Sequence, residues 1–308
     1  MNDLPRVSIL INNYNYARFL GEAIDSALAQ TYPNIEVIVV DDGSTDNSRE
    51  VIARYGARIL ALLKENGGQA TAYNAGFAVC TGEIICLLDS DDIFKPEKVA
   101  RVVEVLDGNP DLGWCFDVVR EFDDRTGERY PWSTTHARGR WDMRALTSAG
   151  KPPLVPTASS GLSFRRKVIG QIFPMPELMR ITTGSSSDAY IKWLALALDE
   201  GWMFDEELTL MRVHSSNAYT RRPSRDKKRL GGQIELFTGM CLYEQWPVLR
   251  RLALKVFSRG LGTHWASGGL ESAYKHRVQA FVRSLALPQR SEVLLRATLW
   301  STLRRFEH

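Results

Sequence analysis

Two runs of acid follow directly on apolar segments. Glu36–Val40 leads into Asp41-Asp42-Gly43, and Glu83–Leu88 leads into Asp89-Ser90-Asp91-Asp92. Carboxylates gathered within a few ångströms repel and raise one another's pKa unless a cation neutralises them, so these clusters suit a hard divalent ion, magnesium or manganese. Such an ion is commonly held by one or two carboxylates, completes its shell with water and substrate phosphates, and can neutralise charge on a departing diphosphate. A single acid after a strand is more simply a turn or helix-cap residue, which is how Asp46 reads. Three acids in the four positions 89–92 exceed what a cap requires.

The elements that must position these acids alternate between strand and helix. Val7–Ile11 reads as a strand, and Leu20, Ala23, Ile24, Ala27 and Leu28 then recur at helical spacing with one buried stripe. Glu36–Val40 is the second strand, with Thr45 or Asp46 capping the next helix. Arg58–Leu63 is a third strand, Gln69–Cys80 a helix and Glu83–Leu88 a fourth strand, and Pro96 opens another helix. This alternation predicts an α/β fold, a mainly parallel Rossmann-like sheet flanked by helices, whose ligand crevice lies beyond the carboxyl ends of the strands. Trp114–Glu121 is a further strand and Asp123–Gly127 a turn. Residues 130–160, rich in Thr, Ser, Pro, Gly and Arg, lack periodicity and read as a surface loop region. Ile191, Leu194, Ala195 and Leu198 restore helical period, which puts Asp188 near a helix start after Gly184-Ser185-Ser186-Ser187. From about Ile234 the pattern is helical, a C-terminal helical extension.

With 44% hydrophobic and 24% charged residues, the 308-residue chain can bury a sizeable core and does not resemble a disordered one. Cys80, Cys86, Cys115 and Cys241 lie far apart and form no C-x-x-C pair, which argues against a disulfide framework or a zinc site. The opening residues run into a strand without a signal-peptide pattern, and no apolar run approaches the ~20 residues that span a bilayer, so the expected location is cytoplasmic. The charge is uneven. Residues 221–308 carry 17 Lys and Arg against 6 Asp and Glu, while residues 1–220 are net acidic. The expected division is a catalytic domain over 1–220 and a basic helical extension over 221–308.

Several segments, in order, resemble the family 2 glycosyltransferases of GT-A fold. Val7–Asn15 resembles their opening strand, Val39–Asp46 their second motif, and Asn66-Gly67-Gly68 through Asn74-Ala75-Gly76 their third. Thr81-Gly82-Glu83 and Leu88–Asp92 resemble the segment that holds the metal-binding D-x-D, and the likeness covers about residues 5–215. The resemblance implies an inverting, metal-dependent transfer of a sugar from a nucleotide-sugar donor, with a UDP-sugar foremost. The acceptor would be a glycan or a lipid-linked glycan, in polysaccharide, cell-surface glycan or glycolipid synthesis.

It also implies roles. Asn12 and Tyr14 would touch the nucleotide base, with Tyr14 stacking on it, and Asp42 would hydrogen-bond it. Asp89 would lie near ribose and metal, Asp91 would be the principal metal ligand with Asp92 close by, and His214, within Leu210-Met211-Arg212-Val213-His214, would contact metal or diphosphate. Asp188 would be the general base that takes the acceptor's proton. The sequence departs from the family at Asn12-Asn13, at Ser187, where an acid usually stands, and at Gly68-Gln69, where some members have an arginine. Gln69 offers the diphosphate a neutral hydrogen bond instead.

Other classes fit less well. There is no G-x-G-x-x-G after the first strand for a dehydrogenase, the chain is far longer than a receiver domain, and no glycine-rich basic loop suits a nucleotidyltransferase, which remains the enzyme alternative. A catalytically degenerate nucleotide- or glycan-binding protein is the non-enzymatic one. The run Arg221, Arg222, Arg225, Lys227, Lys228 and Arg229 is either a solvated face or, with the helices after it, a platform for an anionic membrane surface at the inner face. No nucleic-acid-binding motif is present, and no nucleic acid partner is expected.

Overall fold

A computed structural model of the chain describes residues 4–131, 138–153, 155, 157–176, 186–215, 217 and 224–305. Strand β1 (Val7–Asn13) is buried on both faces, because it lies at the centre of a sheet covered on either side. Its neighbours are β2 (Ile35–Asp41) and β4 (Ile84–Asp89), both parallel to it, and β3 (Leu60–Leu63) continues the parallel half beyond β2. Between these strands run α1 (Ala17–Leu28), α2 (Ser48–Ala53) and α3 (Gln69–Val79). The predicted alternation is therefore present, and the fold is the α/β arrangement with a flanked sheet.

The register sets the site. Asn12 pairs with Val40 on one side and Asp89 on the other, and Asn13 pairs with Asp41, so three strand ends finish side by side. Side chains of alternating parity enter two cores: Val7, Ile9 and Ile11 pack with α1 on one face, and Leu10 packs with α3 on the other. α3 lies close to the sheet. A methyl group on Gly76 would sit 2.2 Å from Leu10 Cδ1 and 2.9 Å from Val40 Cγ2, so glycine permits the approach.

Beyond β4 the sheet becomes mixed. Strand β5 (Ile93–Phe94), helix α4 (Lys98–Gly108), strand β6 (Trp114–Asp123), strand β7 (Gly139–Trp141) and helix α5 (Arg144–Ser148) follow, then β8 (Leu162–Arg165) and α6 (Arg166–Ile172). After α7 (Ser186–Leu198), the long β9 (Gly201–Val213) completes a sheet of order β3-β2-β1-β4-β8-β6-β9-β5, with β7 on β9. β8 is antiparallel to both β4 and β6, whereas β6 and β9 are parallel.

Several boundaries differ from the sequence reading. The third strand begins at Leu60, after a 3-10 turn at Gly56–Arg58, and α4 begins at Lys98, two residues past Pro96. Helix α2 starts at Ser48, and Asp46 instead accepts the backbone N–H groups of Ala17 and Ser48, tying α1 to α2. The stretch 130–160 is not all loop: its described part holds β7, α5 and a 3-10 turn at Ser159–Gly161, elements of three to five residues, too short to show a period.

The C-terminal part is helical: α8 (Ser224–Gln245), α9 (Arg250–Ala266), α10 (Ser272–Ser284) and α11 (Leu287–Arg305). Phe237, Met240, Phe257, Leu261, Tyr274, Phe281 and Val293 form a core of their own, while Cys241, Leu242, Leu249 and Ala253 join the sheet-side core with Tyr190 and Leu194. No described helix is long and apolar enough to cross a membrane. Of the basic run, Arg221 and Arg222 lie outside the described residues, as do Gly184 and Ser185.

Candidate active site

The end of β4 carries the acids. Asp89 Oδ1 accepts hydrogen bonds from Asn12 Nδ2 at 2.9 Å and from the Tyr73 hydroxyl at 3.2 Å, and its Oδ2 accepts from the Ser159 hydroxyl. Burial and the Asp91 carboxylate push the Asp89 pKa up to about 6, despite the hydroxyl and amide donors around it, and Asp188 adds to the rise. Tyr73 is fully buried, and burial with the nearby charges of Asp89 and Asp188 raises its hydroxyl pKa. Asp188 therefore lies close enough to feel the same cluster.

Asp91 and Asp92 part company. Asp91 Oδ2 meets His214 Nε2 at 3.0 Å and accepts from Asn217 Nδ2 at 3.2 Å, and 14% of its side chain stays exposed. Asp92 turns inward, where Oδ2 accepts from Ser160 Oγ at 2.6 Å and Oδ1 from the Arg212 N–H at 3.1 Å. Burial, then the charges of Asp91 and Asp89, raise its pKa. Asp92 thus fastens β4 to β9 and to the 3-10 turn. Among the described residues no three acidic, histidine or cysteine side chains form a ready-made metal cage. The fit to a cation rests instead on Asp89 and Asp91, whose mutual repulsion a positive charge would relieve, and suits an ion that keeps positions for water and phosphate.

His214 is held as a neighbour of Asp91 by packing. Its ring lies 4.3 Å from that of Phe19 and edge-on to Tyr16 at 5.6 Å, and its backbone N–H donates to Asn217 Oδ1 at 2.6 Å. Arg212 beside it is 6% exposed, pairs with Glu22 and with Asp124 at 2.8 Å, and stacks on Phe19 and Phe122.

The end of β2 and the start of α3 form the other wall. Asp41 is buried and accepts from Asn13 Nδ2 at 2.9 Å, the Ser44 N–H at 3.1 Å and Arg49 Nε at 3.2 Å. Asp42 accepts from Lys64 and from the N–H groups of Gly67 at 3.0 Å and Gly68 at 2.7 Å. It therefore fixes the loop that delivers α3, in which Gly68 takes φ +86°, a region glycine enters without strain. Gln69 opens the helix with its Oε1 buried and without a partner among the described residues, while Tyr14 is 46% exposed.

Residues 8–173 match the profile described as glycosyl transferase family 2. The chain belongs to that family. An uncharacterized glycosyltransferase of Nostoc sp. is 37% identical over 220 residues, which cover 69% of this chain and 66% of that protein. The match thus falls short of that relative's full length, and the matches to relatives from Rickettsia prowazekii and Rickettsia typhi cover 32% of each. Among solved structures, Staphylococcus aureus TarS 1-349 in complex with UDP-GlcNAc is similar, with a TM-score of 0.59 at 17% identity over 97% of this chain and 82% of that one. The Pyrobaculum calidifontis mannosyltransferase PcManGT, in complex with GDP-Man and Mn2+, has a TM-score of 0.52 at 19% identity over 99% and 88%. At these identities the likeness is one of fold, and the expected GT-A architecture is borne out.

In this family 2 chain, Asp188 lies in the first turn of α7, beyond the matched segment, with 15% of its side chain exposed and Lys192 Nζ 3.5 Å away. Lys192 also donates to the Thr157 carbonyl at 2.7 Å. Sequence reading missed the layer beneath the acids. Lys98 is fully buried and donates to Asp117 Oδ1 at 2.6 Å, the Ser160 carbonyl at 2.7 Å and Thr209 Oγ1 at 2.8 Å. Ser160 Oγ accepts the Asp89 N–H at 3.0 Å while donating to Asp92, so this layer holds two acids through one serine. A weak signal for Lys98 existed: a lysine in the first turn of a helix opposes the helix dipole and asks for another partner. Ser159, Ser160 and Asn217 gave none, being single polar residues in aperiodic segments.

Proposed function

We propose that this family 2 member transfers a sugar from a nucleotide-sugar donor to an acceptor hydroxyl with inversion, in the assembly of a polysaccharide, cell-surface glycan or glycolipid. The observation that carries this is the pair Asp89 and Asp91, set at a strand end with His214 beside Asp91 and Asp188 near enough to raise the pKa of Asp89. The similar structures bound to UDP-GlcNAc, and to GDP-Man with Mn2+, support a nucleotide-sugar donor, and a UDP-sugar is our first choice. Asn12, Tyr14, Asp42 and Gln69 are assigned to the nucleotide side, Tyr14 by stacking and Asp42 through the loop it anchors. A divalent ion, manganese or magnesium, would be held by Asp91 with Asp89 and His214, with Asp92 bracing the strand end behind them, and when bound would neutralise the leaving diphosphate.

The chemistry assigned to the chain's own residues is a single displacement. The acceptor O–H loses its proton to the Asp188 carboxylate as the oxygen bonds to the anomeric carbon, and the bond from that carbon to the diphosphate oxygen breaks with its electron pair leaving on the diphosphate. Asp188→Asn is expected to abolish transfer while leaving donor binding intact, whereas Asp91→Ala should weaken metal-dependent donor binding measured by thermal shift. Transfer retained in Asp188→Asn would refute the base assignment. The Lys192 ammonium 3.5 Å from Asp188 occupies the carboxylate in an ion pair, which sustains the reading of a binding protein without turnover. That reading predicts metal-dependent nucleotide binding with no transfer to any acceptor.

A further inference from the structure

Helix α11 buries Val293, Ala297 and Ser301 against the helical core. On its other side Leu287, Leu294, Leu295, Leu299 and Leu303 are exposed, the last three by 63%, 58% and 61%. Leu295, Leu299 and Leu303 recur every fourth residue and so form one row along the helix, beside the small polar Thr298 and Thr302. Single exposed leucines are ordinary, but three in one row, with Leu287 and Leu294 also exposed on the same helix, make an apolar stripe that water covers at a cost.

The charge of the two C-terminal helices narrows what covers it. α10 and α11 together contain seven Lys and Arg and one acid, Glu292. Lys275, Arg277 and Arg283 on α10 are exposed. Two copies meeting through α11 would bring two strongly positive segments within a Debye length of each other, about 8 Å at physiological salt, whereas an anionic layer would be attracted. We infer that α11 lies flat in the interfacial region of an anionic bilayer, its leucine row among the acyl chains and the surrounding cations near the headgroups. The inference assigns the membrane contact to α11 rather than to the basic run at 221–229, and does not depend on sugar transfer.

Deleting residues 221–308 would not test it, because Cys241, Leu242, Leu249 and Ala253 complete the sheet-side core. The test is co-sedimentation of the full 308-residue chain with phosphatidylglycerol/phosphatidylethanolamine vesicles and with pure phosphatidylcholine vesicles. The unaltered chain should bind the anionic vesicles and leave the neutral ones. L295Q/L299Q/L303Q, confined to exposed positions, should bind roughly ten-fold or more weakly at an unchanged melting temperature. K275Q/R277Q/R283Q should lose about five-fold per charge at low salt. If the triple leucine variant unfolds, Leu299→Glu alone serves the same purpose. Absence of binding by the unaltered chain, equal binding to neutral vesicles, or undiminished binding by the leucine variants overturns the inference. A dimer by light scattering that L295Q/L299Q/L303Q converts to monomer, without vesicle binding, would identify the row as a self-association face instead.

Discussion

Replacing Lys98 with Met tests the layer beneath the acids. The lysine and Asp117 are 0% and 1% exposed, and the ammonium makes three hydrogen bonds, to Asp117, the Ser160 carbonyl and Thr209. Methionine fills much of the same volume but leaves the Asp117 carboxylate in a dry interior with the Thr209 hydroxyl at 2.7 Å as its one side-chain donor among the described residues. Breaking one partner of a buried pair costs about 3–5 kcal/mol, since the remaining charge is uncompensated. Burial already raises the Asp117 pKa, with Lys98 the main opposing influence, so removing Lys98 raises it further. The sign follows. An acid whose folded pKa lies above its unfolded one favours the folded state most below the unfolded pKa, and that advantage is lost as pH rises through the folded pKa. The deficit of Lys98→Met relative to the unaltered chain should therefore be largest near neutral pH and shrink as pH falls. Urea unfolding followed by far-UV circular dichroism and tryptophan fluorescence, at pH 7 and pH 5, measures it. Lys98→Met/Asp117→Leu should recover much of the loss, because the Thr209 hydroxyl can turn fully to the Ser160 carbonyl, 3.2 Å away. A deficit below about 1 kcal/mol at pH 7, or one independent of pH, would refute the reasoning.

Gly76→Ala should destabilise by about 1–3 kcal/mol, read as a lower urea midpoint, because the new methyl must displace Leu10 and Val40 at the contact of α3 with the sheet. His264 is fully buried among the C-terminal helices, which lowers its pKa from 6.5 to about 4. Between those values the unfolded chain binds a proton that the folded one refuses, so stability falls by roughly 3 kcal/mol as pH drops through that window. His264→Asn should show a shallower decline from pH 6.5 to pH 4 in the same assay, and an identical slope would exclude the ring as its source.

What could be read in the sequence was what periodicity and strand ends encode. The helix with Leu20, Ala23, Ile24 and Ala27 buried, and Asp89 at the finish of a strand, followed from spacing and from acids set behind apolar runs. The resemblance supplied the region of Asp188 and His214, and the structure sets His214 against Asp91. The direction each acid faces was not legible. Asp91 and Asp92 are adjacent and chemically identical, yet one stays partly exposed beside His214 and the other is a brace, because Ser160 and the Arg212 amide arrive from 68 and 120 residues away. Contacts across such separations leave no local pattern. The Ser159–Gly161 turn was hidden for the same reason, and Lys98 drew no reading because nothing near it in sequence announces Asp117.

The place of β8 in the sheet also bears on how the protein is made. β4 has β1 on one side, available as soon as it is synthesised, but on the other side waits for Leu162–Arg165. Until the ribosome has delivered those residues, Ile84, Ile85 and Cys86 offer the open backbone of an edge strand, flanked by apolar side chains that the finished fold hides entirely. A nascent chain of about half length thus carries an adhesive border at the heart of its future sheet. The interval between emergence of β4 and of β8 is when chaperone capture, or aggregation with a neighbouring nascent chain, has its best opportunity.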